Sequence, residues 1–347
     1  MAFPDWPLSH GSVNPHGWWE DFWQRLEHGH RLMAETVALL IGVLCAWTWQ
    51  SRWSVPISAL GSLVIALCVK QFGAGATVVA HAGLWSAALI FAGLILRKSR
   101  STNLVHASSV RWLTFAAFIG VLGQALLGGL RVTIETAGDP AAATIFRVLH
   151  GAFAQIELCI LVIIAALLSP AWRHLTPSGN LRGLSLLGAI TGGAILLQLI
   201  VGASMRHLGA GLAISTWPEA TAAGGWLPAV HNLFVDLNFA HTRIGAIVVS
   251  TLVVLFSVLS IRRSGGAPLI VRPAALLLVL LFVQFALGVS VIWNARAPGV
   301  TTLHVVNGAA VLALTTLLTL RLSGSARLAR HSVTAGGPVL SFAEATS

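Results

Sequence analysis

Polar and apolar positions in this chain separate into long blocks. Residues 1–31 are mixed and polar. Beyond them, apolar runs recur at 32–50, 56–73, 76–96, 112–130, 146–168, 184–204, 242–261, 273–294 and 302–320. A helix needs roughly 17–25 predominantly apolar residues to cross the hydrocarbon core of a bilayer, and each run is long enough. The joints between runs carry Pro, Gly, Ser and Arg, as interhelical loops do. The pattern predicts an all-α integral membrane protein with about nine transmembrane helices.

Composition strengthens that reading. The 347 residues are 56% hydrophobic and 9% charged, with mean hydropathy +0.82, against about 25% charged residues in soluble domains. A net charge of +10 would suggest nucleic acid in a soluble protein, but here it follows the joints. One alternate set holds Arg52; Arg97, Lys98, Arg100 and Arg111; Arg173 and Arg182; Arg262, Arg263 and Arg272; and Arg321, Arg327 and Arg330 in the tail, with Glu344 as its one acid. The other set holds Asp5, Glu20, Asp21, Glu27, Glu135, Asp139, Glu219 and Asp236. The positive-inside rule puts the Arg-rich set, with the tail at 326–347, in the cytoplasm and the acidic set outside. The charge is therefore a topogenic signal, and the expected partner is the lipid bilayer, with no nucleic acid. Cys45, Cys68 and Cys159 each lie inside an apolar run, without metal-site spacing. The first 31 residues contain no apolar core of a cleavable signal peptide.

This orientation leaves residues 1–31 outside with no preceding helix to carry them there, and an internal repeat explains the anomaly. Trp6-Pro7 precedes His30 by the same 24 residues that separate Trp217-Pro218 from His241. Gln124-Ala-Leu-Leu-Gly128 resembles Gln284-Phe-Ala-Leu-Gly288, and each is followed by a helix with a histidine near its start, His150 and His304. The second half begins with the run 184–204 before its Trp-Pro loop; the first half has no counterpart. The first half instead holds an extra hairpin at 56–96. The reading is of a chain that starts late or has lost a first helix, divided into an N-terminal half, 1–170, a C-terminal half, 171–325, and the tail.

The repeat places His30, His150, His241 and His304 at or near the outer ends of helices that run inward, two in each half. Two imidazoles on neighbouring helices at one depth can clamp a haem iron from both axial sides. Arg131, Arg206, Arg243 and Arg296 lie at the same surface as candidate propionate partners. Gly128, Gly129, Gly202 and Gly288 either admit a macrocycle or only pack helices. The competing reading of any single transmembrane histidine is a hydrogen-bonded core residue; four equivalent ones favour ligation. His81 has no repeat partner. His106, His174 and His331 fall in cytoplasmic loops. His10, His16, His28, His207 and His231 fall in outer loops, most of them at the surface. The halves differ three residues before the first histidine: Glu27 stands before His30, Asn238 before His241. A carboxylate at one site alone suggests that one site holds a cofactor and the other does chemistry. Glu27 can equally be a cap or an ion-pair partner of Arg25 or Arg31.

At these residues the chain resembles the haem A synthase family of membrane proteins in cytochrome oxidase assembly. The resemblance rests on Pro4-Asp5-Trp6-Pro7-Leu8-Ser9-His10-Gly11, Glu27-His28-Gly29-His30-Arg31, the Gln124–Gly128 segment, His150, Ser215-Thr216-Trp217-Pro218, His241-Thr242-Arg243 and His304. It implies two four-helix bundles related by a pseudo-twofold axis. It implies a haem b cofactor on His241 and His304, and substrate or product haem on His30 and His150. The implied activity converts haem O to haem A by oxidising the C8 methyl to a formyl group, with Glu27 as the catalytic carboxylate. The implied partners are a supplier of haem O and the oxidase assembly machinery, and a homo-oligomer is compatible with it. The chain departs from the family in lacking the expected first helix, in the hairpin 56–96, and in its outer loops, where Phe3 and Ser9 stand in place of a cysteine pair. A non-catalytic haem-binding paralogue or a di-haem electron-transfer cytochrome is the alternative. With no transit peptide in view, the expected location is a bacterial plasma membrane.

Overall fold

A computed structural model of the chain describes residues 2–3, 5–6, 9–12, 15–49, 108–175, 181 and 183–334, the last nine of these by backbone alone. Among the described residues seven helices are long and apolar enough to cross a membrane, as expected of an integral membrane protein. They are α1 (Phe22–Trp49), α2 (Ser108–Thr136), α3 (Pro140–Leu168), α4 (Leu184–His207), α5 (Leu233–Arg263), α6 (Pro268–Trp293) and α7 (Pro298–Thr334). The two further helices expected at 56–73 and 76–96 lie outside the described residues, as do Pro4, Pro7, Leu8, His81 and His106.

All seven helices follow from the apolar runs, because in hydrocarbon only a helix bonds every backbone N–H and C=O within one segment. Their ends follow from local chemistry. Asp21 and Asp139 accept from the N–H groups of Gln24 and Ala142, and Asn232 from those of Phe234 and Val235. Pro140, Pro268 and Pro298 open their helices where no intrahelical donor is needed. The glycine at 209 ends α4 in the left-handed region, at φ 80°.

Most helices begin earlier than their apolar runs. The first starts at Phe22 rather than 32, the second at Ser108 rather than 112, the third at Pro140 rather than 146, and the fifth at Leu233 rather than 242. Capped polar residues extend each helix beyond its apolar window. His30, His150, His241 and His304 are therefore six to ten residues inside their helices instead of at the starts. At the other end α7 continues to Thr334, into the segment expected as a tail, where Ala326-Arg327-Leu328-Ala329-Arg330 are good helix formers.

The chain divides into two compact units, residues 1–153 and 154–347. In the first, α1 packs along α2. Two polar contacts fasten them at one end: Thr48 Oγ1 and Thr114 Oγ1 are 2.7 Å apart, and Trp49 Nε1 donates to Arg111 O. In the second unit α4 packs against α5 and α7, and α6 packs against the same two. Their shared core contains Leu184, Ile195, Val253, Phe256, Leu277 and Leu318. Gly188 lets Phe256 lie against α4, since a Cβ there would come 2.7 Å from its ring. Large apolar side chains such as Phe282 and Leu197 point outward, where a bilayer covers them.

Candidate functional site

In the first unit His30 of α1 and His150 of α3 face each other, with ring centroids 6.4 Å apart and planes at 83°. The His150 ring lies on Gly128 of α2, where a Cβ would be 3.3 Å from Cε1. One turn earlier Gln124 donates its Nε2 to the His150 carbonyl at 3.0 Å. Arg131 is close enough to act on both imidazoles electrostatically. Its Nε and His150 Nδ1 are buried without a hydrogen-bond partner.

The second unit repeats that arrangement. His241 of α5 and His304 of α7 have ring centroids 6.4 Å apart and planes at 81°. His241 lies on Gly202 of α4 and His304 on Gly288 of α6, where a Cβ would come 2.5 Å and 3.1 Å from the respective Cε1 atoms. Gln198 donates to the His241 carbonyl at 2.8 Å. Gln284 Nε2 is 3.4 Å from His304 Nε2, while its Oε1 accepts from Asn307 Nδ2 at 2.8 Å. Both histidines also bury a partnerless Nδ1.

These pairs fit an iron between them. An iron held at roughly 2 Å by each of two opposed imidazole nitrogens sets the ring centroids about 6 Å apart. Among the described residues no cluster of three or more His, Cys, Asp or Glu could hold a metal ion without other ligands. Two imidazoles leave the remaining positions of an iron to a macrocycle. His150, His241 and His304 each bury an orphaned Nδ1 beside the glycine that cradles the ring.

Around each pair an arginine fastens a Trp-containing segment to the helix that carries the first histidine. Arg31, next to His30, donates to Asp5 O at 2.8 Å, lies over the Phe3 ring and pairs with Glu27 at 2.9 Å. The other Glu27 oxygen accepts from the Ala2 N–H at 2.7 Å. Arg243, two residues after His241, donates to Thr216 O at 2.6 Å, Glu219 O at 2.8 Å and Thr242 Oγ1 at 2.6 Å, and lies over the Trp217 ring. Asn238, in the place of Glu27, is fully buried and donates to Ala210 O.

The candidate residues thus divide. His30 meets His150, His241 meets His304, and Arg131 stands by the first pair. Glu27 is an ion-pair partner of Arg31 rather than of Arg25. Arg206 is exposed in the last turn of α4. Arg296 sits at φ 64° with its side chain against Gly211. Arg243 is 8% exposed; one terminal nitrogen is occupied by the Trp217 loop and the other by Thr242 of its own helix, and its Nε is its one orphaned donor. His28, expected in an outer loop, is buried on α1 against Phe3 and Trp18, with Nδ1 3.1 Å from Ser9 Oγ. The Trp6 ring is held on Gly129, where a Cβ would come 2.5 Å from it.

Sequence reasoning missed three groups. Gln198 was readable, since Gln198-Leu-Ile-Val-Gly202 is a third copy of the Gln-xxx-Gly spacing. The ion pair of Arg147 with Glu135, between α3 and α2, and the amide of Asn307 had no sequence signal, because their roles depend on which helices become neighbours.

Residues 84–317 match the family described as COX15-CtaA, cytochrome oxidase assembly protein. The chain is 20% identical over 301 residues to a protein named heme A synthase from Bacillus licheniformis, an alignment covering 86% of this chain and 78% of that protein. It is 30% identical over 222 residues to a heme A synthase from Granulibacter bethesdensis, covering 62% of this chain and 57% of that one.

Proposed function

We propose, for a chain that belongs to the COX15-CtaA family of cytochrome oxidase assembly proteins, that it converts haem O to haem A. The observation that carries the proposal is the unequal chemistry of two equally built histidine pairs. Both hold their imidazole centroids 6.4 Å apart, yet only the first has a carboxylate, Glu27, three residues before its leading histidine.

In this reading His241 and His304 hold a haem b cofactor in the C-terminal half, and His30 and His150 hold the substrate haem in the N-terminal half. When bound, the haem pair would supply a path for electrons leaving the C8 methyl group; oxidising that methyl to a formyl with water as the oxygen source gives up four electrons and four protons, and the electrons pass to an acceptor outside the chain. The protein's own residues do the rest. The imidazoles fix the height and tilt of the substrate ring. Arg131, with Arg206 and Arg296, supplies cations for propionates, and Arg243 contributes through its Nε alone. Glu27 takes up protons that each hydroxylation releases. The Arg31 guanidinium, 2.9 Å away, holds that carboxylate in place. The Arg-rich joints support a C-terminus on the cytoplasmic side of what this reading takes to be a bacterial plasma membrane, with haem O arriving from the protein that makes it.

The test is expression in cells that make haem O, followed by extraction and chromatography of the haems. Haem A is the expected product. Haem B alone would point to an electron-transfer cytochrome, and no haem at all to a protein with histidines in its core.

A further inference from the structure

Three glutamines stand four residues before a glycine that cradles a histidine, and each glutamine reaches that same histidine. The contacts are reciprocal in the second unit. Gly202 of α4 receives His241 of α5, and Gly245 of α5 receives Gln198 of α4, where a Cβ would come 2.7 Å from the Gln198 Cδ. Likewise Gly288 of α6 receives His304, and Gly308 of α7 receives Gln284, where a Cβ would come 3.2 Å from its Nε2. Two interlocking contacts one turn apart fix both the rotation and the axial register of a helix pair. In hydrocarbon no water competes for the carbonyl that Gln198 binds. The α5 helix also widens into a π turn at Ala240–Gly245, so the segment carrying His241 is the one held. In the first unit Gln124 bonds the His150 carbonyl, and the sequence puts Ala154 where α5 and α7 have glycine.

Resting on the haem-binding reading above, we infer that Gln198, Gln284 and Gln124 are positioning residues that set the ligand plane of His241, His304 and His150 at the iron. Gln198 and Gln124 act through the backbone carbonyl of the histidine, and Gln284 acts at its ring, with Asn307 fixing the amide. A glutamine that merely glues helices together would alter stability and leave the electronic state of a bound iron unchanged. A positioning residue alters the ligand field even where the fold survives.

The full-length protein is purified in detergent from haem-replete cells, and the retained haem is read by ferric low-spin paramagnetic resonance and by midpoint potential. Gln198→Met keeps the side-chain length and removes the donor. Gly245→Ala keeps the glutamine and pushes it off the carbonyl. Leu197→Ala, on the exposed face of α4, is the control. The expected result is a displaced low-spin signal and a shifted potential in both site variants, with the control like wild type. Wild-type signal, potential and haem content in both site variants overturn the inference while leaving the haem reading standing. If Gln198→Met does not accumulate, Gln284→Met decides by the same measurements. Wild-type protein that carries no haem overturns the haem reading and this inference together.

Discussion

Arg243 holds the carbonyl of Thr216, the residue before Trp217, at 2.6 Å. Arg31 holds the carbonyl of Asp5, the residue before Trp6, at 2.8 Å. The two halves therefore use one device, an arginine close to the leading histidine that locks the Trp segment to its helix. Replacing Arg243 by Met should free residues 216–219 and leave buried carbonyls unpaired, at a cost on the order of 3 kcal/mol. Thermal unfolding of the detergent-solubilised variant should show a lower midpoint than wild type, and an unchanged midpoint would argue against the lock.

Glu27→Gln removes the charge that Arg31 pairs with and leaves both imidazoles of the first site in place. Haem A formation should fall by roughly 10²- to 10⁴-fold, the usual worth of a positioned acid or base. Haem b content should stay at the wild-type level. Haem A output within a few-fold of wild type would remove Glu27 from the chemistry.

The glycine cradles predict a ranking. A Cβ added at Gly202, Gly288 or Gly128 would approach the imidazole Cε1 to 2.5, 3.1 or 3.3 Å. Gly202→Ala must therefore displace its histidine, while Gly128→Ala needs a shift of only a few tenths of an ångström. Loss of low-spin haem absorbance should be greatest for Gly202→Ala, smaller for Gly288→Ala and least for Gly128→Ala. The reverse order would show that the rings leave the glycines when haem binds.

Single histidine replacements should separate the two sites. His304→Ala should lose haem b. His30→Ala should keep haem b and fail to accumulate haem O or haem A. Chromatography of the extracted haems distinguishes the two patterns, and loss of every haem from both variants would contradict independent sites.

Much of this was legible before any coordinates. Apolar blocks locate all seven described spans, and the repeat groups His30 with His150 and His241 with His304, whose rings the structure sets side by side. Pattern fails where the cause is tertiary. Arg243 reads as a surface cation for a propionate, yet it is turned onto carbonyls that only a folded loop presents. His28 reads as an outer-loop residue because apolar windows ignore polar helical turns, whereas Asp21 starts the helix upstream and Phe3 folds back over the ring. Gln198 carries a signal in its Gln-xxx-Gly spacing, but which histidine it serves depends on its helix lying beside α5.

The π turn at Ala240–Gly245 acts as a phase slip in α5. One surplus residue in a helix of 3.6 residues per turn displaces everything on one side by about 100° relative to the other. The lipid-facing stripe that runs down α5 cannot be extrapolated upstream through His241. The slip lets Asn238, Thr242 and Arg243 turn toward the protein while the membrane stripe below keeps its own heading. Deleting one residue between 240 and 245 would restore a single phase and swing those polar groups toward lipid.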